Sequence, residues 1–509
     1  MIRRILCAAL ALFLLLGMIA CAVGDVPADT ESESLALAQS EESDAVSSES
    51  ETQTKMETSP GTNAKGEILK EDEILEVSRA NYRGYEIRIL HKTISPDEMY
   101  AEEKVGELIN DSVYDRNRFA EQYLGVTLTF DAFETYQNQV EAAAASGYDM
   151  YHIISNLTYQ APPLIQAGAY RDVNAIPEDK NAIDLTKRWW NQSFHKEAEL
   201  NGKLYLLEGD ITTTAVDWAE VIFYNNDLLK AYAGEDVDLL QTVYDMDWTY
   251  ETFLNYVNKA GNGEDTGEWG FCPAGGSYAL DGLIMGMAMD LTYRDSRNYP
   301  NMSLNTPKNI EIGARLRQLF QNNPSVNYEE SQNTEEFASG KSIFYMGIMV
   351  QAGKSLRASG IDYAIIPPPL YDEFQTEYRI VPQDNYSSLS ILCHVDTALE
   401  VTTQVLEVMG SESYISLRHC IQEKCYKQRY LKTEPKGRMF DYVVDNIYFD
   451  FGYTYSQVLD KPIMLMRNYA RYAPGHNDYM ESLTERLEAK DLASSAALEE
   501  FLKPFFKTK

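Results

Sequence analysis

Residues 85 to 154 alternate between strand-like and helix-like patterns, and this alternation limits the possible folds more than any other feature of the chain. Apolar and polar residues alternate from Tyr85 to Leu90, which predicts a strand. An amphipathic stretch with Val105 and Val113 on its apolar side predicts a helix, and Gly125 is expected to end it. The folded part of the chain therefore begins with a strand and a helix.

A second strand, a second helix and a third strand repeat this pattern. Alternating apolar residues from Val126 to Phe130 predict a strand, and an alanine-rich helix follows over Gln139–Ser146. Gly147 is expected to end that helix, and Tyr148–Ile154 is predicted to be a buried strand. Strands separated by helices form βαβ units with a mostly parallel sheet, so the fold class is α/β.

Later segments predict a second set of elements. Asn225 is placed to cap a helix, Trp248 precedes an amphipathic helix and is expected to pack in the core, and another helix is predicted near Leu399–Met409. The segment 80–509 is longer than a domain with a single hydrophobic core usually is, so two lobes are expected. The predicted strands of this part are Val221–Tyr224, Asp362–Ile366 and Leu389–Leu392.

The N-terminus has the pattern of an export signal. Two arginines precede an apolar run from Ile5 to Leu16, which is shorter than a bilayer span but long enough for a signal sequence. The following junction, which ends at Cys21, resembles the lipobox of bacterial lipoproteins, in which the cysteine is acylated and becomes the new N-terminus. We expect residues 1–20 to be a signal peptide and Cys21 to carry lipid. An ordinary secretory cleavage site before a chance cysteine is the alternative.

Residues 21–75 have the composition of a tether. Apart from Cys21, they are dominated by Ser, Thr, Glu, Gln and Ala and cannot bury enough apolar surface to fold. An acidic tail without a mechanical role would have the same composition, so the tether depends on the lipidated cysteine. The expected location is the outer face of the cell membrane, held by the lipid anchor.

The charge of the chain limits its partners. The formal net charge is −34 at pH 7, which disfavours nucleic acid and anionic lipid surfaces and favours neutral or cationic ligands. After Leu16 no apolar run approaches the length of a membrane span, so a transport role would need a separate membrane protein.

Cysteine usage excludes a disulfide-built scaffold. The cysteines beyond the signal and the anchor are Cys272, Cys393, Cys420 and Cys425. Cys420 and Cys425 lie five positions apart, which matches neither a CxxC redox pair nor a zinc knuckle. Buried thiols and a local disulfide both stay open. We predict no metal site and no cofactor.

Ligand contacts in parallel sheets gather at the carboxyl ends of strands. The polar segment Ser155–Gln160, with Tyr159 as its aromatic residue, follows the predicted third strand and is the first candidate. A plain surface turn would have the same composition, so both interpretations stay open.

Five segments together carry a family resemblance. They are Asn201–Tyr205, Val221–Leu229, Trp248–Phe253, Phe337–Lys341 and Ile361–Pro368. In this order and spacing the chain resembles the extracellular solute-binding proteins of bacterial ABC importers, in the carbohydrate-type, maltose-binding-protein-like group. The resemblance implies a two-lobed, periplasmic-binding-protein-like (type II) fold with a hinge and a central ligand cleft.

The resemblance also implies domain boundaries. The first lobe is expected to comprise residues 80–210 and 385–430, and the second lobe residues 211–384 and 431–509. The expected crossings are near Asp210–Thr214, Pro382–Tyr386 and Tyr426–Leu431.

The implied function is a monomeric receptor that delivers an oligosaccharide to an ABC permease. Sugars are bound by flat aromatic faces and by planar carboxylate and amide groups, and 35 tyrosines make aromatic faces abundant. The ligand-binding candidates on loops projected to face the cleft are Tyr159, Asp210, Trp218, Trp269, Tyr278, Asn385 and Tyr386.

Other functions stay open because one expected feature is missing. Many relatives have a tryptophan platform where this chain reads Gly347–Gln351. A receptor or sensor for a peptide, polyamine or other organic solute is the main alternative, and a surface glycoside hydrolase is a further one.

We predict no catalytic residues. Gly340–Ser342 mimics the end of a P-loop, but Glu335 stands where the phosphate cradle needs glycine.

Overall fold

The structure is a computed structural model, and it describes residues 70–94, 97–133, 136–274, 279–327, 333–471 and 482–506. The predicted signal peptide, Cys21 and most of the predicted tether lie outside the described residues, as does Tyr278.

Ten strands are present in the described residues. They are β1 (Tyr85–Lys92), β2 (Val126–Phe133), β3 (Ile153–Leu157), β4 (Glu220–Asn225), β5 (Trp269–Pro273), β6 (Thr292–Arg294), β7 (Pro300–Met302), β8 (Ser342–Ile348), β9 (Tyr363–Ile366) and β10 (Ser387–Ile391).

The α-helices lie between and after these strands. They are α1 (Leu108–Leu124), α2 (Tyr136–Ala145), α3 (Ala161–Gln166), α4 (Gln192–Ala198), α5 (Thr214–Asp217), α6 (Asn226–Ala233), α7 (Leu239–Tyr244), α8 (Tyr250–Asn258), α9 (Gly263–Thr266), α10 (Ala279–Gly286), α11 (Pro307–Asn322), α12 (Asn333–Ala338), α13 (Leu399–Glu412), α14 (Glu434–Asp445), α15 (Phe451–Thr454), α16 (Ile463–Arg471) and α17 (Leu483–Leu502). Two π-helical segments, Ser413–Leu417 and Cys420–Leu431, lie between α13 and α14. Short 3-10 helices cover Glu71–Glu73, Thr158–Gln160, Val173–Ala175, Glu178–Lys180, Met349–Ala352 and Ser456–Val458.

The first sheet has the strand order β10-β3-β1-β2. β1 pairs in parallel with β2, with Tyr85 opposite Val126, and in parallel with β3, with Ile89 opposite Ile153. β10 adds to β3 in the antiparallel direction. Gly125 ends α1 in the left-handed conformation, with φ of 64°, as its position in the sequence predicts. The predicted βαβ arrangement is therefore confirmed.

Two details of the predicted elements in this sheet are wrong. Val105 lies before α1 and is 61% exposed, because the Asp111 carboxylate accepts hydrogen bonds from the backbone N–H groups of Val105 and Gly106 and holds them in a turn. The third strand begins at Ile153 rather than at Tyr148, which is 75% exposed. Gly147, with φ of +73°, turns the chain after α2, and the first backbone hydrogen bond to β1 runs from His152 N–H to Arg88 O at 2.8 Å.

The second sheet has the strand order β5-β8-β4-β9. β4 is antiparallel to both β8 and β9, whereas β5 is parallel to β8. Asn225 caps α6 through its side chain, which accepts from the Leu228 N–H at 3.1 Å. Trp248 is fully buried, and its Nε1 donates to Pro367 O at 3.0 Å, so this tryptophan packs in the core as predicted.

The chain visits the first sheet, then the second, and then returns. Strands β1 to β3 belong to the first sheet, β4, β5, β8 and β9 to the second, and β10 again to the first. After β10, α13 packs against α1, and the π-helix Cys420–Leu431 leads to α14, which packs against β9. The connecting residues are buried, as Ile211, Val381 and Tyr426 illustrate, so a core of apolar side chains continues between the sheets. Among the described residues, the helices are all too short or too polar to cross a membrane.

Candidate ligand-binding site

The ladder between β3 and β10 positions the first part of the site. Ser387 lies opposite Leu157, and the backbone contacts continue beyond the two strands. Thr158 N–H donates to Tyr386 O at 2.9 Å, and Tyr159 N–H donates to Asp384 O at 3.2 Å. These bonds hold Tyr159, just past the carboxyl end of β3, against the segment that returns from the second sheet.

Lys92, the last residue of β1, joins this segment to Trp218. Its Nζ donates to Asn385 O at 2.6 Å and lies 4.5 Å from the centroid of the Trp218 ring. The side chain is buried, and this burial lowers the pKa of Lys92 to about 8, although Glu98 nearby opposes the shift. An ammonium over an indole face is a favourable cation–π contact. The structure therefore brings Trp218 and the backbone of Asn385 to one lysine, and Tyr159 lies next to this contact through its backbone bond to Asp384.

A buried ion-pair network lies beside this cluster. Arg467 of α16 donates from Nε to Asp281 Oδ1 at 2.6 Å and from Nη2 to Asp384 Oδ2 at 2.9 Å. Tyr453 OH also donates to Asp281 Oδ2, at 2.7 Å. Burial raises the pKa of Asp281, and the guanidinium beside it opposes that shift. The network ties the returning segment to α10 and α16.

Glu220, at the start of β4, is a buried carboxyl in the same region. Its Oε2 accepts from Gly282 N–H at 2.6 Å, whereas its Oε1 has no hydrogen-bond partner among the residues that the structure describes. Burial and the nearby Asp281 raise the pKa of Glu220 well above its usual value. Burial therefore disfavours the charged form of this carboxyl group. In the described ranges, the His, Cys, Asp and Glu side chains form no group that could hold a metal ion.

Sequence reasoning missed Glu220, Asp281, Arg467 and Lys92. A usable signal existed for Asp281, because it is an acid within the otherwise apolar sequence of α10. An acid in such a helix needs a buried cation or hydrogen-bond donors. Arg467 carries no such signal in its own segment.

Three other predicted residues lie elsewhere or serve as support. Tyr386 is 1% exposed and packs among the rings of Phe194 and Phe449, so it supports the site from the core. Asp210 faces Arg418, with Oδ2 3.5 Å from Nη1, and burial raises its pKa to about 6. Trp269 begins β5, at the end of the strand opposite to α10.

The surroundings of Trp269 separate it from the cluster at Trp218. Its ring covers Gly263 so closely that a Cβ added there would lie 2.1 Å from a ring carbon. The cavity next to it is lined by amides such as Asn262 and Asn323 and by none of the residues around Lys92. The structure therefore separates Trp269 from the cluster at Lys92. Asp210 lines another cavity, together with Val216 and Arg418, and none of the residues around Lys92 lines that cavity.

Known proteins resemble the chain in sequence pattern and in fold. The family model described as bacterial extracellular solute-binding protein matches residues 116–393, more than half of the chain. No curated relative matches the chain.

Three solved structures have a similar fold. An ABC substrate-binding protein from Listeria monocytogenes in complex with cycloalternan has a TM-score of 0.53 and 11% identity, over 82% of this chain and 98% of that one. The cyclic alpha-maltosyl-1,6-maltose binding protein from Arthrobacter globiformis has a TM-score of 0.55 and 14% identity, over 82% and 100%. The galacto-N-biose/lacto-N-biose I-binding protein of the ABC transporter from Bifidobacterium longum, in complex with lacto-N-biose, has a TM-score of 0.55 and 12% identity, over 83% and 98%.

These likenesses agree with the two sheets described above and with the predicted two-lobed, periplasmic-binding-protein-like fold. The family match identifies the protein as an extracellular binder of solutes. The chain belongs to the bacterial extracellular solute-binding protein family.

Proposed function

We propose that this protein is a receptor that binds a neutral oligosaccharide at the Trp218 cluster and delivers it to an ABC importer. One observation carries the proposal: Trp218 and Asn385 both contact Lys92 at the carboxyl end of β1, and the backbone of Tyr159, just past β3, bonds to Asp384 beside Asn385. The sugar ligands of the three structural neighbours support the choice of ligand class.

The chemistry of the cluster suits a sugar. Lys92 covers one face of the Trp218 ring, and we propose that the opposite face stacks on the apolar face of a sugar ring. The Asn385 amide and the Tyr159 hydroxyl would bind sugar hydroxyl groups, because planar and hydroxyl groups offer both donors and acceptors. Tyr386 would act only by supporting this surface.

The rest of the assembly is proposed on the same basis. Residues 80–210 with 385–430 would form one lobe, and residues 211–384 with 431–509 the other, closing around the ligand by hinge bending. Cys21 would carry the lipid that holds a monomer at the outer face of the membrane, where a permease receives the sugar. The protein would release its ligand chemically unchanged.

A cationic ligand such as a polyamine is the alternative that the acids of the site would favour. However, Asp281 and Asp384 are already paired with Arg467, and burial raises the pKa of Glu220 well above its usual value, which disfavours its charged form. These acids therefore offer little free negative charge to a polycation. Neutral hydroxyl groups fit the same surroundings without displacing a buried ion pair.

Thermal-shift measurements against a panel of ligands test the proposal. A ligand present at 100 times its dissociation constant stabilises the folded state by about 2.7 kcal/mol, which raises the melting temperature measurably. We expect one or more neutral oligosaccharides to give this shift, and peptides and polyamines to give none. A shift with spermidine or a peptide and none with any sugar would reject the carbohydrate assignment.

A further inference from the structure

The helix Cys420–Leu431 has π-helical winding over 12 residues. At its end, Lys432 N–H donates to Lys427 O at 2.9 Å, five positions earlier. Most π-helical stretches in proteins are single-turn bulges, and they are frequent at functional sites. A π-helix of this length therefore calls for a local reason.

The winding brings two thiols together. In an α-helix, residues five positions apart point about 140° away from each other around the axis. In a π-helix the backbone hydrogen bonds join residues five apart, so Cys420 and Cys425 lie on the same side of the helix on successive turns. Both are buried free thiols, and each is the largest influence on the pKa of the other.

We propose that Cys420 and Cys425 are a reversible dithiol–disulfide site inside this π-helix, and that they oxidise to an intrahelical disulfide outside the cell. A disulfide needs Cα atoms about 4.4–6.8 Å apart, which one π-turn supplies and five positions of an α-helix do not. Extracellular proteins are exposed to oxidising conditions in which such a bond persists. This site is independent of the ligand-binding cluster.

The environment of Cys420 favours it as the attacking group. The hydrogen bond from Cys425 lowers the pKa of the Cys420 thiol to about 6, against the opposing effect of burial, and Ser112 and Lys424 add to the lowering. The pKa of Cys425 is raised by the same contact and by burial. Of the two thiols, Cys420 therefore loses its proton more readily and is the better attacking group.

The reaction is an ordinary thiol–disulfide exchange with a low-molecular-weight disulfide. The Cys420 thiolate attacks one sulfur of the oxidant, forms a mixed disulfide and releases one thiolate. The sulfur of Cys425, after losing its proton, attacks the sulfur of Cys420 and releases the second thiol. The two cysteines lose two electrons and two protons in total, and the oxidant is reduced to two thiols.

Neighbouring residues tolerate the oxidised form. Cys420 Sγ donates to Leu108 O at 3.3 Å, and oxidation would remove this bond. Leu108 O also accepts from Ser112 Oγ at 2.8 Å, so the oxygen keeps a donor. The disulfide would hold the π-winding next to Tyr426, whose OH donates to Asp217 Oδ1 at 2.7 Å where the chain enters the second sheet.

Peptide mapping tests the proposal directly, because Lys424 lies between the two cysteines. The folded full chain is incubated in glutathione buffers from fully reduced to fully oxidised, alkylated in denaturant and digested with trypsin. We expect His419–Lys424 and Cys425–Lys427 to appear as one cross-linked species in oxidised buffer, lighter than the two free peptides by two hydrogen atoms. Separate alkylated peptides at every glutathione ratio would overturn the proposal.

Two controls make the result specific. Cys272 and Cys393 should remain alkylated in the same samples, and a cross-link that includes either of them, or a disulfide-linked dimer, would count against the pair. In Cys425→Ser, Cys420 should accumulate as a mixed disulfide with glutathione, because its resolving thiol is missing. Equal glutathione adducts on Cys420 in this variant and in the wild-type chain would show that Cys425 does not resolve the intermediate.

Discussion

At the scale of single residues, Trp218 and Trp269 offer a matched pair. Both are partly buried tryptophans, but Lys92 lies over Trp218, whereas the Trp269 ring covers Gly263 in a different cavity. We expect Trp218→Ala to weaken oligosaccharide binding by about 1–3 kcal/mol, because the variant loses an aromatic face that is buried by the ligand. Trp269→Ala should leave the dissociation constant unchanged. Isothermal titration calorimetry with a sugar selected by thermal shift checks both values, and equal losses in the two variants would contradict the site.

Lys92 allows a second prediction at this scale. Its pKa is lowered from 10.5 to about 8 in the folded chain, so between these values the unfolded state binds more protons. The free energy of unfolding should therefore rise with pH from about 8 to 10.5 through this one group. Urea unfolding of the wild-type chain and of Lys92→Met across that window isolates the effect. Parallel pH profiles for the two proteins would show that Lys92 is not desolvated.

At the scale of elements, glycines that end helices can be compared. Gly125 and Gly168 both have positive φ, of 64° and 74°. A Cβ on Gly125 would lie 2.9 Å from the Asn81 Cα, whereas a Cβ on Gly168 meets nothing within 4 Å. Gly168→Ala should cost about 1–2 kcal/mol from the left-handed backbone alone. Gly125→Ala should cost about 1–3 kcal/mol more because backbone must move, and equal urea midpoints would contradict this packing.

Element positions were predictable where local chemistry decides them. The strand at Tyr85 and the helix stop at Gly125 follow from alternation and from glycine's tolerance of positive φ. The start of β3 was not predictable. The alternation of residues over Tyr148–Tyr151 suits a strand, but the strand register with β1 begins only at Ile153. Pairing register depends on the partner strand, which a local pattern does not contain.

The site was predictable only in part, for a similar reason. Tyr159 and Asn385 follow and precede strands of the first sheet, so strand direction alone points to them. The same reasoning excludes Trp269, because it is the first residue of β5 and ligand contacts gather at the carboxyl ends of strands. Arg467 and Asp281 meet across 186 positions of sequence, and such a pair follows from tertiary packing rather than from either segment.

At the scale of the whole molecule, buried carboxyl groups control the pH dependence of stability. Burial raises the pKa of six of them to between about 6 and about 8: Glu208, Asp210, Asp217, Glu407, Glu412 and Asp450. The folded chain therefore holds more protons than the unfolded chain from about pH 5 to pH 8, and its stability falls as pH rises through that range. His195, whose pKa is lowered to about 3 by burial, and His152, whose pKa burial also lowers, act in the opposite direction but are only two groups.

We therefore expect a higher melting temperature at pH 5 than at pH 8. The large negative charge of the chain would also make stability fall as pH rises. A variant is therefore needed to separate the effect of a buried carboxyl group from the effect of the net charge. Glu407→Gln keeps a planar polar group that can accept from Trp190 Nε1, which lies 2.8 Å from Glu407 Oε2, and removes one titrating carboxyl. Its stability should fall less steeply than that of the wild-type chain between pH 5 and pH 7. Identical slopes would show that Glu407 does not titrate in this range.

The central claim is that this chain binds a neutral oligosaccharide at the Trp218 cluster without altering it. The most direct test is calorimetric titration of the purified chain with the sugar that gives the largest thermal shift, followed by chromatography of the sugar recovered from the complex. We expect saturable binding at one site, loss of affinity in Trp218→Ala, and recovery of the intact sugar. Full affinity in Trp218→Ala, or recovery of hydrolysed sugar, would contradict it.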